Sequence, residues 1–109
     1  MNRWNIPKEL EEDVRARDTN CVYCGILFGS TPGKGSLDSW EHIVNNAKII
    51  TPKNIALCCR SCNSSKGQKL VCKWLSSDYC KSHGIDSERV AGVVKRALES
   101  CTCPDCSVL

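Results

Sequence analysis

Aromatic residues are scarce in this 109-residue chain, at 6%, with one phenylalanine, two tyrosines and three tryptophans. A chain this short buries a smaller fraction of its surface than a long one, so apolar packing alone leaves a thin core and a further staple is expected. Long apolar runs are missing as well. The longest, Ile55 to Cys59, has five residues, far short of the roughly 20 that a membrane-spanning helix needs. The opening residues Met1-Asn2-Arg3-Trp4-Asn5 contain no apolar signal core, so an intracellular, cytoplasmic address is expected. Cysteine, by contrast, is abundant, with ten residues. In a compartment that keeps thiols reduced a disulfide framework is disfavoured, which leaves metal as the main explanation.

Acidic residues are also absent from one long stretch. Residues 42–77 carry Lys48, Lys53, Arg60, Lys66, Lys69 and Lys73 and no Asp or Glu, whereas the segments on either side are slightly acidic. The formal charge of +3 is therefore concentrated in the middle of the chain. A stretch of that kind suits a polyanion such as a phosphate backbone, although a solvated basic loop has the same composition.

The periodicity predicts a first helix over Pro7 to Asp18, with Pro7 in the first turn, Glu9, Glu11 and Glu12 near its positive end and Arg15 and Arg17 near its negative end. Gly29 to Ser36 has the composition of a flexible loop. Leu37 to Val44 reads as a weak strand, and Ile49-Ile50 with Ile55 to Cys58 as a second, broken around Pro52. From Ser61 the pattern turns helical, with Leu70, Val71, Trp74 and Leu75 continuing it to about Cys80 and a break at Lys66-Gly67. Asp86 is placed to cap a last helix in which Val90, Val93, Val94, Ala97 and Leu98 share one face.

Two knuckles stand out: Cys21-x2-Cys24 and Cys59-x2-Cys62. Sulfurs three positions apart can meet one ion because the turn between them points both inward, and four thiolates fill a tetrahedral zinc site with no open position. Such a site is structural. Cys58 offers an alternative register, but after Ile55-Ala56-Leu57 it reads as buried strand. Cys103-Pro-Asp-Cys106 is a third knuckle that could join Cys101, Cys72 or Cys80 around a second ion, or belong to a tail of free thiols. Gly29-x3-Gly33-Lys34-Gly35 has one spacer too few for a phosphate loop and lacks its Ser or Thr. His83 reads as a helix-end residue, and Tyr23, Trp40 and Trp74 as packing around a small core.

Between and around the knuckles lie Glu41-His42, Asn54-Ile55-Ala56-Leu57 and Cys59-x2-Cys62-Asn63-x2-Lys66. At these residues, over about positions 21–67, the chain resembles the HNH endonuclease family, the ββα-metal nucleases. The family's pattern is an acid–His pair on a first strand, an Asn opening the next, then Cys-x2-Cys followed at once by His or Asn and x2-Lys. The resemblance implies His42 as general base, Glu41 and Asn63 as ligands of a catalytic Mg²⁺ or Mn²⁺, and Asn54 as a bond across the hairpin loop that holds the His42 backbone. It also implies that Lys66, about one helical turn past Asn63, faces the same phosphate. The chemistry is coherent: a neutral His, with an ordinary pKa near about 6.5, can take the proton of an attacking water. Oxygen donors suit a hard divalent ion, and few protein ligands leave it room for phosphate and water.

The expected protein is a small α+β domain over residues 1–109, a zinc-stapled ββα-metal hairpin and helix with flanking N- and C-terminal helices. Its parts are a catalytic core over about 21–67, a helical extension over 68–100 and a cysteine-containing tail over 101–109. The expected activity is metal-dependent cleavage of DNA, with RNA left open. A monomer would nick one strand and a homodimer could cut both. The alternative is a zinc-knuckle nucleic-acid-binding module without catalysis, which needs the cysteines and basic residues but not Glu41, His42 and Asn63 together.

Overall fold

The computed structural model describes residues 4–99, so the Cys103–Cys106 knuckle and the cysteine-containing tail lie outside the described residues. The first helix, α1 (Lys8–Arg17), follows Pro7 and carries Glu9 and Glu11 in its first turn and Arg15 and Arg17 in its last, an arrangement that complements the helix dipole. Only Val14 of this helix is buried, so its place is fixed largely by polar ties at its end. The Arg17 guanidinium donates to the Asp18 carboxylate and to the carbonyls of Pro52 and Ile55. Asp18 in turn accepts the Leu57 N–H at 3.1 Å.

Two strands, β1 (Asp38–His42) and β2 (Ile55–Cys59), form an antiparallel pair in which Trp40 faces Leu57, Glu41 faces Ala56 and His42 faces Ile55. Every β2 residue is buried, because both faces of the hairpin are covered and the strand needs no polar side. Ile55 and Leu57 pack with Ile6 and Val14 on the α1 side. Ala56 and Cys58 join the larger cluster on the other side. The period of two along β1 therefore decides the chemistry: Ser39 and Glu41 turn to one face, and Asp38, Trp40 and His42 to the other. Arg15 meets Asp38 at 2.9 Å and lies 4.9 Å over the Trp40 ring, which marks the second face as the α1 side.

Helix α2 (Arg60–Lys66) follows β2 without a linker and covers the Ser39/Glu41 face. Its N-cap is the Cys59 sulfur, which accepts the Cys62 N–H. The chain then makes short helices α3 (Val71–Trp74) and α4 (Asp78–Ser82), and ends in α5 (Gly92–Glu99). Trp74, Ile85, Val90, Val93 and Val94 pack in one cluster with Cys21, Val22 and Tyr23, so the C-terminal helices share the core of the hairpin.

Three element boundaries differ from the sequence reading. Ile49-Ile50 is not strand: Asn54 and Ile55 both donate to the Thr51 carbonyl, a turn that lets pairing start only at Ile55. The helical stretch from Ser61 to about Cys80 is three helices. Gly67, at φ +52, closes α2 with its N–H on the Asn63 carbonyl, and Ser77 caps α4 afresh through Cys80 N–H. The last helix begins at Gly92 and not after Asp86. The Asp86 carboxylate does accept the Glu88 and Arg89 N–H groups, but in a separate turn. Ala91 N–H then donates to Val22 carbonyl at 2.8 Å and draws the chain out of helical register.

Candidate functional site

The two sulfur knuckles meet at the junction of β2 and α2. The Sγ atoms of Cys21, Cys24, Cys59 and Cys62 all lie within 4.8 Å of one another, and Cys24 Sγ is 3.8 Å from Cys59 Sγ. Tetrahedral zinc with Zn–S bonds of about 2.3 Å places its sulfurs about 3.8 Å apart, so the donor set fits such a metal. Each knuckle also aims an N–H at its own first sulfur, from Cys24 to Cys21 and from Cys62 to Cys59, the usual way of stabilising thiolate charge. Tyr79 of α4 donates its hydroxyl to Cys62 Sγ at 3.4 Å. Contacts with Cys24, Cys59 and Cys62 draw the Cys21 thiol far below its ordinary range. Contacts with Cys21, Cys24 and Cys59 drive Cys62 far above it. Four sulfurs this close cannot all be thiolates without a cation between them. The cluster is therefore positioned to hold a structural metal such as zinc.

Cys58 stays out of the cluster. It is fully buried in β2, and burial foremost, with the Glu41 charge, pushes its thiol up. Cys80 is likewise buried, and burial raises its thiol. Cys72 is disulfide-bonded, which closes thiolate ligation to it and removes it as a ligand of a second ion.

The acid–His pair sits at the end of β1, and the pleat sends its members to opposite faces. Glu41 is buried against α2, where its Oε2 accepts the Tyr23 hydroxyl at 2.5 Å and lies 3.1 Å from Lys66 Nζ. Burial first, and then the Glu41 charge, hold the Tyr23 phenol well above its ordinary pKa, so it remains a donor. Lys66 is 1% exposed. That placement differs from the expected phosphate-facing lysine: α2 covers the Glu41 face of β1, and Lys66 turns inward onto the buried Glu41 carboxylate. Asn63, one turn before Lys66, donates its side-chain Nδ2 to Ser39 Oγ and Trp40 carbonyl.

His42 lies on the α1 side, 7% exposed, with its Nε2 inaccessible and without a hydrogen-bond partner. The Trp4 ring packs edge-on to the imidazole at 5.1 Å and 67°. Burial lowers the His42 pKa, the Lys66 charge adds to that, and Glu41 works against both. Beyond the strand end, Asn54 closes the connecting loop. Its Oδ1 accepts Val44 N–H at 2.7 Å, and its Nδ2 donates to the carbonyls of Val44 and Ile49. Its own carbonyl accepts Ile43 N–H, so the backbone beside His42 is tied to the start of β2.

Of the six basic residues in the acid-free stretch, Lys48, Lys53, Arg60, Lys69 and Lys73 are exposed and Lys66 alone is buried. Ser39 and Trp4 are contacts of the site that the sequence reading passed over, and Tyr23, which it assigned to core packing, is in the core but also bonds Glu41. Ser39 was legible in principle, because a residue two before Glu41 on a strand must share its face. Tyr23 and Trp4 come from distant segments and carried no such signal.

A two-stranded hairpin with a helix on one face, stapled by four converging sulfurs, defines a small metal-stapled α+β protein. Residues 21–69, somewhat under half of the chain, match the family model of the HNH endonuclease. No curated protein and no solved structure matches the chain. Among the described residues, no helix is long and apolar enough to cross a membrane.

Proposed function

We propose that this protein is a divalent-metal-dependent endonuclease that hydrolyses DNA phosphodiester bonds, nicking one strand per active site. The observation that carries the reading is the Glu41-His42 pair at the end of β1, between the sulfur knuckles and the Asn54 loop clamp, within the HNH-family segment. His42 is the general base. Burial keeps its imidazole neutral, and a neutral ring nitrogen can accept the proton of an attacking water. Asn54 positions it through the backbone. Glu41 and Asn63 would supply the oxygen donors for Mg²⁺ or Mn²⁺; Tyr23 and Lys66 both meet Glu41 at Oε2. When bound, that ion would supply positive charge to the phosphoryl oxygens and the leaving oxygen. Lys66 acts in this reading by holding and neutralising Glu41 against α2. The phosphate backbone meets the exposed Lys48, Lys53, Arg60, Lys69 and Lys73, zinc fills the four-cysteine site, and residues 1–109 act as one domain.

Supercoiled plasmid incubated with the purified protein and Mg²⁺ or Mn²⁺ tests the reading. Nicked circles are expected from the wild type and none in EDTA or with His42→Ala. Undiminished nicking by His42→Ala would remove the mechanism, and linear product from the wild type would point to a homodimer. An RNA substrate cut at a comparable rate would widen the substrate class. A second reading, a zinc-knuckle nucleic-acid-binding module without catalysis, is favoured by one observation: Glu41 is already neutralised by Lys66 and the His42 Nε2 is closed off. It predicts retained plasmid binding with no product under any divalent ion.

A further inference from the structure

A base whose acceptor nitrogen is buried and unpartnered cannot meet a water, and such an atom is costly to leave unsatisfied. His42 is in that condition, and its neighbours divide by face. The charges of Glu41 and Lys66 act on it from the α2 side. On its own face the ring in contact is Trp4, at 5.1 Å, ahead of α1 and outside the family segment. The connection between Trp4 and the core is short and unusual. Ile6 is fully buried and Pro7 caps α1, so both are anchored. Asn5 between them stands at φ +57, in the left-handed region that asparagine tolerates better than most residues. Asn5 is exposed and Trp4 half-buried, so a rotation at Asn5 would carry the indole away from His42 without requiring Ile6 or α1 to move.

We propose that Trp4 is a gate on His42: seated, it excludes water from the imidazole, and swung out on Asn5 it opens His42 to a phosphodiester substrate. The catalytic meaning of the gate rests on His42 being the base, but the gate itself is a property of the closed contact. With the closed state predominant, the observed reactivity of His42 scales with the fraction of molecules that are open.

Carbethoxylation by diethyl pyrocarbonate at fixed pH, mapped by mass spectrometry on the zinc-loaded full chain, reads that fraction directly. The exposed His83 is the other histidine of the chain and serves as the internal reference. In the wild type His42 is expected to react about tenfold or more slowly than His83. Trp4→Ala raises the His42 rate to near that of His83, and Trp4→Phe gives a value between. Asn5→Ala, which keeps the indole but disfavours the left-handed backbone, also raises it, whereas Asn5→Gly leaves it low. That pair decides the matter should Trp4→Ala fail to fold. Equal His42 and His83 rates in the wild type, or a His42 rate unmoved by Trp4→Ala or Asn5→Ala, would overturn the gate. In plasmid nicking, Trp4→Ala is expected to raise kcat/KM, and a fall would reject the gate in favour of simple support of the ring. A wild type that cuts nothing would instead sink the nuclease reading, with the reactivity series still judging the gate.

Discussion

Glu41 and Lys66 stand almost wholly out of water, 3.1 Å apart. Two charges in such a place gain little over well-packed apolar groups, but removal of one leaves the other uncompensated, at a cost of about 3–5 kcal/mol. Lys66→Met is therefore expected to lower unfolding stability by about that much in urea denaturation, and the further change Glu41→Gln to restore a good part of it. A midpoint that does not move with Lys66→Met would mean that the Glu41 charge is solvated. His42 supplies the pH dependence. Its folded pKa is lowered, chiefly by burial, so the neutral form is favoured in the native state. The stability it contributes is fully present above its unfolded value of about 6.5, and is lost as pH falls from there through the folded value. The acid limb of the pH–rate profile for nicking should accordingly lie below about pH 6.5; a limb at or above that value would speak against His42 as the titrating base.

At the scale of elements, the β1–β2 connection depends on one side chain. Asn54 makes three hydrogen bonds to the loop it closes. Asn54→Ala leaves Val44 N–H and two carbonyls without their partner and should cost about 1–3 kcal/mol. Faster hydrogen exchange at Val44 and Ile43 than in the wild type is the direct check, and unchanged protection would place the clamp elsewhere. Helix α4 is only five residues long, and its start rests on the Ser77 hydroxyl. Ser77→Ala should lower stability by about 1 kcal/mol. Because α4 carries Tyr79 to the Cys62 sulfur, the same change should weaken zinc retention in competition with a chelator.

For the whole molecule the staple dominates. A structural zinc site in a small fold contributes on the order of 10 kcal/mol or more, comparable with the total stability of a domain. Cys59→Ser is thus expected to abolish cooperative thermal unfolding and bound zinc together, as measured by metal content and a melting curve. Protein that melts cooperatively with no metal would refute the staple. Four thiolates with one Zn²⁺ would also lower the formal +3 by two, leaving the zinc-loaded protein barely basic overall. In the proposed nuclease, attraction to DNA would then depend on the exposed cations of the acid-free stretch. Removing Lys53 or Lys69 should flatten the salt dependence of DNA binding, by a slope of about one for each phosphate no longer neutralised. Lys66→Met should leave that slope unchanged.

Much of this was legible in the order of residues. The two Cys-x2-Cys spacings identified the metal cluster, because a four-residue knuckle holds its sulfurs together whatever lies around it. The first helix was legible from Pro7 and its charge gradient, and the second strand from the apolar run at Ile55, although the reading also drew Ile49-Ile50 into it. These are local signals, fixed by bond geometry and short-range sterics. The orientation of Lys66, the phenol of Tyr23 on Glu41 and the Trp4 ring on His42 were not legible. Each joins segments well apart in the chain, and each depends on how α1 and α2 settle on the two faces of one strand. The sequence alone determined which residues could do chemistry here and the cluster that staples them. Only the tertiary structure decided that the acid lies paired on one face and the histidine closed on the other, because burial and partnership arise from packing and not from spacing.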